Sequence, residues 1–237
     1  MGLVGDRIDT CNWSEIIPEL HDKGFAIVRN VLRKEECDDF IRNYLAPETY
    51  RKTVDMDRYR YGSGEYKYFQ YPLPDLVSQL RDSVYPKIVG VANQWMEELK
   101  LDRRFPSTHA ELKRQCHQQG QTKPTALILK YGKGGFNALH QDLYGEIFFP
   151  MQVVVMLDQV GEDYSGGEFV ITEQIPRAQS KANVLKPNRG DMIIFTTNFR
   201  PVKSARGYSR VNMKHGVSPL HEGNRHTLGV IFHDAKS

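Results

Sequence analysis

Apolar residues over the first 120 positions recur mainly at helical spacing. Trp13, Ile16, Ile17 and Leu20 follow the i, i+3, i+4, i+7 rule of one buried helical face, and Gly24 follows as a stop. Pro18 falls inside that helix, where it removes a backbone donor. Cys37, Phe40, Ile41 and Leu45 mark a second amphipathic face. Leu76, Leu80, Val84, Ile88, Val91 and Trp95 mark a longer one reaching Leu99, with a kink expected at Pro86. Thr108, with Glu111 three places on, has capping-box spacing and starts a last short helix that Gly120 ends. A short strand at 25–29 (FAIVR) interrupts this helical texture.

After Gly120 the pattern changes. Residues 126–131 (ALILKY), 151–157 (MQVVVML), 168–172 (EFVIT), 192–197 (MIIFTT) and 227–232 (TLGVIF) are short β-rich runs separated by glycine and proline turns. Short strands at such intervals argue for a sandwich or barrel and against βαβ units. The expectation is a mainly β protein with N-terminal helices and a double-stranded β-helix core, the jelly-roll or cupin-like arrangement. Residues 1–237 are read as a single domain, with 1–120 as helical support and substrate lid and 121–237 as the jelly-roll core.

Composition narrows the class. With 40% apolar and 11% aromatic residues the chain is not disordered. No run approaches the roughly 18 apolar residues of a membrane helix. The charged N-terminus does not read as a signal peptide, and three widely spaced cysteines suit reduced thiols, so a cytoplasmic protein with no membrane association is expected. No obligate protein partner is inferred. The net charge of +3 is modest, but residues 192–221 contain no acid and hold Arg200, Lys203, Arg206, Arg210 and Lys214. That stretch reads as a solvated basic face or as a patch facing an anion.

Candidate chemistry starts at His140-Gln-Asp142. On an extended strand, residues two apart share a face, so both side chains can reach one metal ion. Eight histidines and 29 acids give roughly one such pair by chance, so the pair alone says little. His109-Ala-Glu111 is a second instance, but its helical setting sends the two residues in different directions. His140, by contrast, follows a glycine-rich turn and precedes a buried strand. His215 is the best third ligand for a facial set of two histidines and one carboxylate, which suits non-haem Fe(II). His221, His226 and His233 compete for that role, and each reads better as a surface or strand-edge histidine.

Tyr131-x8-His140-x-Asp142, Gly166-Gly-Glu168-Phe, Pro187-x2-Gly190-Asp191-x3-Phe195 and His215-x9-Arg225-x-Thr227-Leu228 resemble, in this order, the Fe(II)/2-oxoglutarate-dependent oxygenases. The tyrosine-rich stretch 59–74 and the segment 205–215 (ARGYSRVNMKH) are similar to the bacterial AlkB-like Oxygenase-NA family, predicted to oxidise damaged nucleic acid. The chain departs from AlkB itself. Leu129 stands where AlkB has an asparagine, its second arginine in the last strand is absent, and the spacing from His215 to Arg225 is nearer that of prolyl hydroxylases.

The resemblance implies Fe(II) on His140, Asp142 and His215, with 2-oxoglutarate as co-substrate and molecular oxygen consumed. Arg225 offers a planar fork for the far carboxylate of 2-oxoglutarate. Thr227 shares its strand face, and Tyr131 could donate a phenol hydrogen bond to the same group. Gly166-Gly167 and Gly190-Asp191 read as strand turns. For the substrate, residues 58–71 (RYRYGSGEYKYFQY) interleave cations with aromatic rings, as a surface that stacks bases and holds phosphates does. Tyr61, Tyr66, Lys67, Arg206 and Arg210 are the candidate substrate contacts, and damaged DNA or RNA the candidate partner. The same stretch also reads as a tyrosine-rich hairpin packed on the barrel. Hydroxylation of a protein or small molecule is the alternative activity, and a cupin-like binding module a third reading.

Overall fold

Residue 152 apart, the run MQVVVM is apolar throughout because both faces of its strand are covered, and this sets the architecture. The computed structural model describes residues 2–142, 145–175 and 177–237. Helices α1 (Val4–Asp9) and α2 (Trp13–Lys23) lead into strand β1 (Phe25–Val28), then α3 (Lys34–Arg42) and β2 (Tyr50–Asp55). Strands β3 (Gly62–Ser63) and β4 (Glu65–Phe69) precede the long helix α4 (Asp75–Glu98) and α5 (His109–Gln118). Next come β5 (Leu127–Tyr131), β6 (Phe136–His140), β7 (Met151–Met156), β8 (Tyr164–Gly166), β9 (Phe169–Gln174) and β10 (Lys181–Leu185). The chain closes with β11 (Met192–Thr196), β12 (Phe199–Ser204), β13 (Gly207–Val217), β14 (Leu220–Gly223) and β15 (Arg225–Ile231).

Two sheets form a jelly roll. The larger runs β1-β11-β7-β15-β5-β4-β2, and the smaller runs β10-β9-β13-β6-β3, with β12 added on β13. In β7, Val153 and Val155 face the helices, while Val154 and Met156 face the space between the sheets. In β11, Met192 and Ile194 take the helix side, and Ile193 and Phe195 the inner side. Period-two alternation with both faces dry gives the unbroken apolar runs. The helices cover the outer face of the larger sheet, with Leu20, Val77, Leu80, Val84, Ile88 and Trp95 in its apolar cluster.

Both helix-interior prolines, Pro18 and Pro86, are solvent-exposed. The carbonyl that each leaves without a helical donor is therefore on a wet side, where water can satisfy it. Gly24 ends α2 at φ 76°, the left-handed region that favours glycine. Thr108 accepts the Glu111 amide at 3.3 Å and caps α5. No helix among the described residues is long and apolar enough to cross a membrane.

Three expectations need adjustment. The first 120 residues are mostly helix, as expected, but beyond the strand at 25–29 they also contribute β2 to β4, and β4 pairs with β5, joining the larger sheet across position 120. Leu45 lies in a short helical turn after α3 and is 78% exposed, so it is not on a buried face. His226 and His233 are buried, not at the surface: His226 is held by Asp158, and His233 accepts the Phe149 amide. His109 is also structural, bridging Asp82 and the Phe232 carbonyl. Gly190-Asp191 fits its reading as a turn, since the Asp191 carboxylate accepts the Asn30 and Asn188 amides and pairs with Arg29.

Candidate active site

Strand pairing assembles the centre. β13 and β6 are antiparallel with His215 directly opposite His140, and the two ring centroids are 4.2 Å apart. Immediately beyond, the β13–β6 register shifts, and at Gly216 a Cβ atom would lie 2.6 Å from the Asn137 carbonyl oxygen. A side chain there would push the strands apart, so glycine permits the close approach that sets His215 against His140. Asp142 follows β6. Gln141, between the two, is anchored elsewhere: its amide donates to the Asn198 and Met213 carbonyls, both at 2.8 Å. That anchor leaves residues 140 and 142 directed inward together.

One ligand atom each from His140, Asp142 and His215 lies within 4.8 Å of the others. His140 Nε2 is 3.5 Å from Asp142 Oδ1, and His215 Nε2 is 3.4 Å from Asp142 Oδ2. His140 Nδ1 donates to the Ala138 carbonyl at 2.7 Å, so its Nε2 lone pair faces the cluster. Burial alone would raise the Asp142 carboxyl, but His215, His140 and the Gln152 amide hold it far below the usual carboxylate range. Burial and the facing His215 lower His140, keeping its imidazole neutral and able to ligate. Two imidazole nitrogens and one carboxylate oxygen are the donor set of a facial triad, which suits Fe(II).

The cluster lies in a cavity of about 520 Å³ between the sheets. Tyr131, Arg225 and Thr227 line it. Arg225 and Tyr131 are paired across β15 and β5, with the guanidinium 5.7 Å from the ring centroid. Arg225 is 1% exposed, yet its Nε and Nη1 have no hydrogen-bond partner among the described residues. The Tyr131 hydroxyl is likewise buried, beside the Asn137 side chain, and burial pushes it up to about 12, so it is a donor at any ordinary pH. A buried guanidinium with two bare nitrogens and a buried phenol facing the cavity are costly unless a ligand completes them. A dicarboxylate reaching from the triad to Arg225 would satisfy both, and the residues present fit 2-oxoglutarate.

The candidate substrate contacts divide. Tyr61 and Tyr66 line the cavity, together with Arg60 and Tyr68. Tyr61 is half exposed and stacks on Tyr59 at 5.5 Å, and Tyr66 meets Tyr68 edge-on at 5.4 Å. Lys67 points to the opposite face of β4, where its ammonium donates to the Tyr44 carbonyl and sits 4.1 Å from the Tyr44 ring centroid. Strand alternation makes Lys67 a neighbour of the aromatic wall in sequence and not in space. Arg206 is exposed in the turn between β12 and β13 and does not line the cavity. Arg210 lies over the Phe199 ring and donates to Asn198, whose own amide oxygen and carbonyl hold Gln141. Arg200 is taken by a buried pair with Glu173, 2.5 Å away, whereas Lys203, Arg206, Arg210 and Lys214 of the acid-free stretch are exposed.

The sequence reading left out Gln141 and Gln152, and it counted Tyr68 among the aromatic rings of 58–71 without choosing it as a substrate contact. Gln152 had a signal, as the one polar residue in MQVVVM. Tyr68 had one too, being two places from Tyr66 on the same strand face.

The Oxygenase-NA profile, described as "Oxygenase, catalysing oxidative methylation of damaged DNA", matches residues 64–235. An uncharacterized protein of Mycobacterium tuberculosis, Rv2227, is 44% identical over 167 residues, 70% of this chain and 72% of that protein. Among solved structures, a 2OG-Fe(II) oxygenase family oxidoreductase from Burkholderia pseudomallei is 15% identical at a TM-score of 0.55, covering 94% of this chain and 93% of that one. A prolyl hydroxylase from Trichoplax adhaerens, in complex with a hypoxia inducible factor peptide, is 14% identical at 0.56, covering 97% of this chain and 90% of that one. At such identities these two establish the shared fold. By family, fold and donor set together, the chain is an Fe(II)- and 2-oxoglutarate-dependent dioxygenase, and it belongs to the Oxygenase-NA family.

Proposed function

We propose that this dioxygenase oxidises a damaged base in DNA or RNA, and that the whole chain works as one domain. His140, Asp142 and His215 hold Fe(II), and Arg225, Tyr131 and Thr227 hold 2-oxoglutarate. The observation that carries the substrate reading is the wall of Tyr61, Tyr66 and Tyr68, with Arg60, on the same cavity as the triad. Ring faces take a planar base, and the cation takes a backbone phosphate. The family description, which names damaged DNA, points the same way.

When bound, Fe(II) and 2-oxoglutarate supply the oxidising power that inserts an oxygen atom of O2 into a substrate C–H bond, releasing succinate and CO2. The chain's residues do the positioning. Arg225 and Tyr131 fix the co-substrate at its far carboxylate. His140, oriented by the Ala138 carbonyl, and His215, held opposite it by strand register, present their ring nitrogens to the metal. The tyrosine wall holds the base and keeps water from the reacting carbon. Where that carbon is a methyl on a ring nitrogen, the hydroxymethyl product splits into formaldehyde and the free N–H. A base stacked in a duplex cannot enter such a cavity, so the substrate is single-stranded or flipped out.

The test is binding of a single-stranded oligonucleotide as salt is raised. Affinity should fall steeply, because each neutralised phosphate releases counterions. A second reading, hydroxylation of a protein or small molecule, draws on the fold shared with prolyl hydroxylases and on the apolar lining from Leu127, Leu129 and Ile231. Absence of any salt-dependent oligonucleotide binding would favour it.

A further inference from the structure

Gln152 sits on β7, in the middle of the larger sheet, paired with Phe195 of β11 on one side and Ile231 of β15 on the other. It is 6% exposed among methionine and valine neighbours. A buried amide is costly unless its hydrogen bonds are made. Its Nε2 donates to Asp142 Oδ2 at 2.7 Å and lies 3.3 Å from His215 Nε2. Its Oε1 is buried with no partner among the described residues. The amide is therefore directed at the triad and not at the surrounding strands.

We propose that Gln152 is a positioning residue that limits Asp142 to one metal-bound oxygen, an inference that rests on the triad being the Fe(II) site. With Oδ2 engaged by the amide, Asp142 offers the metal Oδ1, the oxygen 3.5 Å from His140 Nε2. Two histidines and one carboxylate oxygen leave three of six positions open. The keto and carboxylate oxygens of 2-oxoglutarate take two, and the third is the position that molecular oxygen needs. A carboxylate free to chelate through both oxygens would take that third position. The strand holding Gln152 is paired on both sides and its side chain is buried, which fixes the base from which the amide reaches Oδ2. A residue present only to fill space would be replaced without consequence by methionine, which has the same length and no donor.

Mn(II) is the probe, read by the relaxation of water protons at the bound ion. In the wild-type chain loaded with Mn(II) and 2-oxoglutarate, about one exchangeable coordinated water should remain, the count a facial triad gives. In Gln152→Met that water should be lost while the chain still binds Mn(II), and 2-oxoglutarate turnover with Fe(II) should fall roughly 10- to 100-fold, as for other outer partners of metal ligands. Gln152→Leu removes the donor too, at a similar volume, and should lose the water as Gln152→Met does. A water count unchanged in a folded Met or Leu variant would overturn the assignment of Gln152 and leave the metal site standing. A wild-type chain that binds no Mn(II), or binds it equally well as His215→Ala, would overturn both.

Discussion

Arg225 concentrates the energetic cost of this site in one side chain. A guanidinium at 1% exposure with two unpaired nitrogens destabilises the empty chain. Arg225→Met, which keeps the volume and removes the charge, should weaken 2-oxoglutarate by about 1.5–3 kcal/mol, the worth of a charge-assisted hydrogen bond. The metal-free variant should melt no earlier than wild type. Calorimetric titration and thermal unfolding check the two halves, and an unchanged affinity would move the carboxylate to another cation. His233 gives a second prediction. Its Nδ1 accepts the Phe149 amide at 3.1 Å, which requires the neutral ring, and burial with the nearby Arg81 lowers it to about 4. Unfolded, it would titrate near 6.5. The folded value is the lower one, so between these limits the unfolded chain binds more protons. The contribution is complete above pH 6.5 or so and is lost as pH falls towards 4, a range worth about 3 kcal/mol. In His233→Asn, whose Oδ1 can accept the same amide, the slope of stability against pH over that window should flatten. That His140, Asp142, His215 and Arg225 meet at one cavity was legible from the order and spacing of the oxygenase resemblance, which calls for fixed residue types at fixed intervals. Gln152 was not, since a lone polar residue in an apolar strand carries no spacing of its own.

At the scale of the element, β4 does two jobs at once. Tyr66 and Tyr68 face the cavity, while Lys67 and Phe69 face the helix side, where Phe69 joins the apolar cluster and Lys67 packs on Tyr44. Tyr66→Ala should cost roughly 1–3 kcal/mol of single-stranded oligonucleotide affinity if the ring stacks a base. Lys67→Ala should leave that affinity unchanged. Fluorescence anisotropy on the two variants separates the faces. The strand was hard to read in advance because its alternation is aromatic against charged, with apolar stems on both sides, and a tyrosine-rich turn has the same composition. The runs of β5, β7, β11 and β15 were easier, since strands of a sheet buried on both faces leave apolar segments, whereas β10, β13 and β14, with exposed positions, were not read. Helices α2 and α4 were placed correctly despite Pro18 and Pro86, whose exposure makes the missing hydrogen bonds inexpensive.

For the molecule as a whole, a buried network ties the end of the last strand to the helices. Arg81 pairs with Asp234 at 2.9 Å, both almost fully buried, and also donates to the Phe232 carbonyl, while Tyr71 and His117 bond the same aspartate. Arg81→Ala leaves that carboxylate without its guanidinium and should destabilise the fold by about 3–5 kcal/mol, measured by denaturant unfolding. The site, some strands away, should keep its metal affinity in the fraction that remains folded. The central claim is that this fold oxidises a damaged base, and 2-oxoglutarate turnover tests it most directly. Succinate should accumulate faster when a methylated single-stranded oligonucleotide is added to the Fe(II)-loaded chain, with one formaldehyde released per succinate formed above the uncoupled background. Turnover indifferent to every methylated oligonucleotide, but accelerated by a peptide or small molecule, would contradict it.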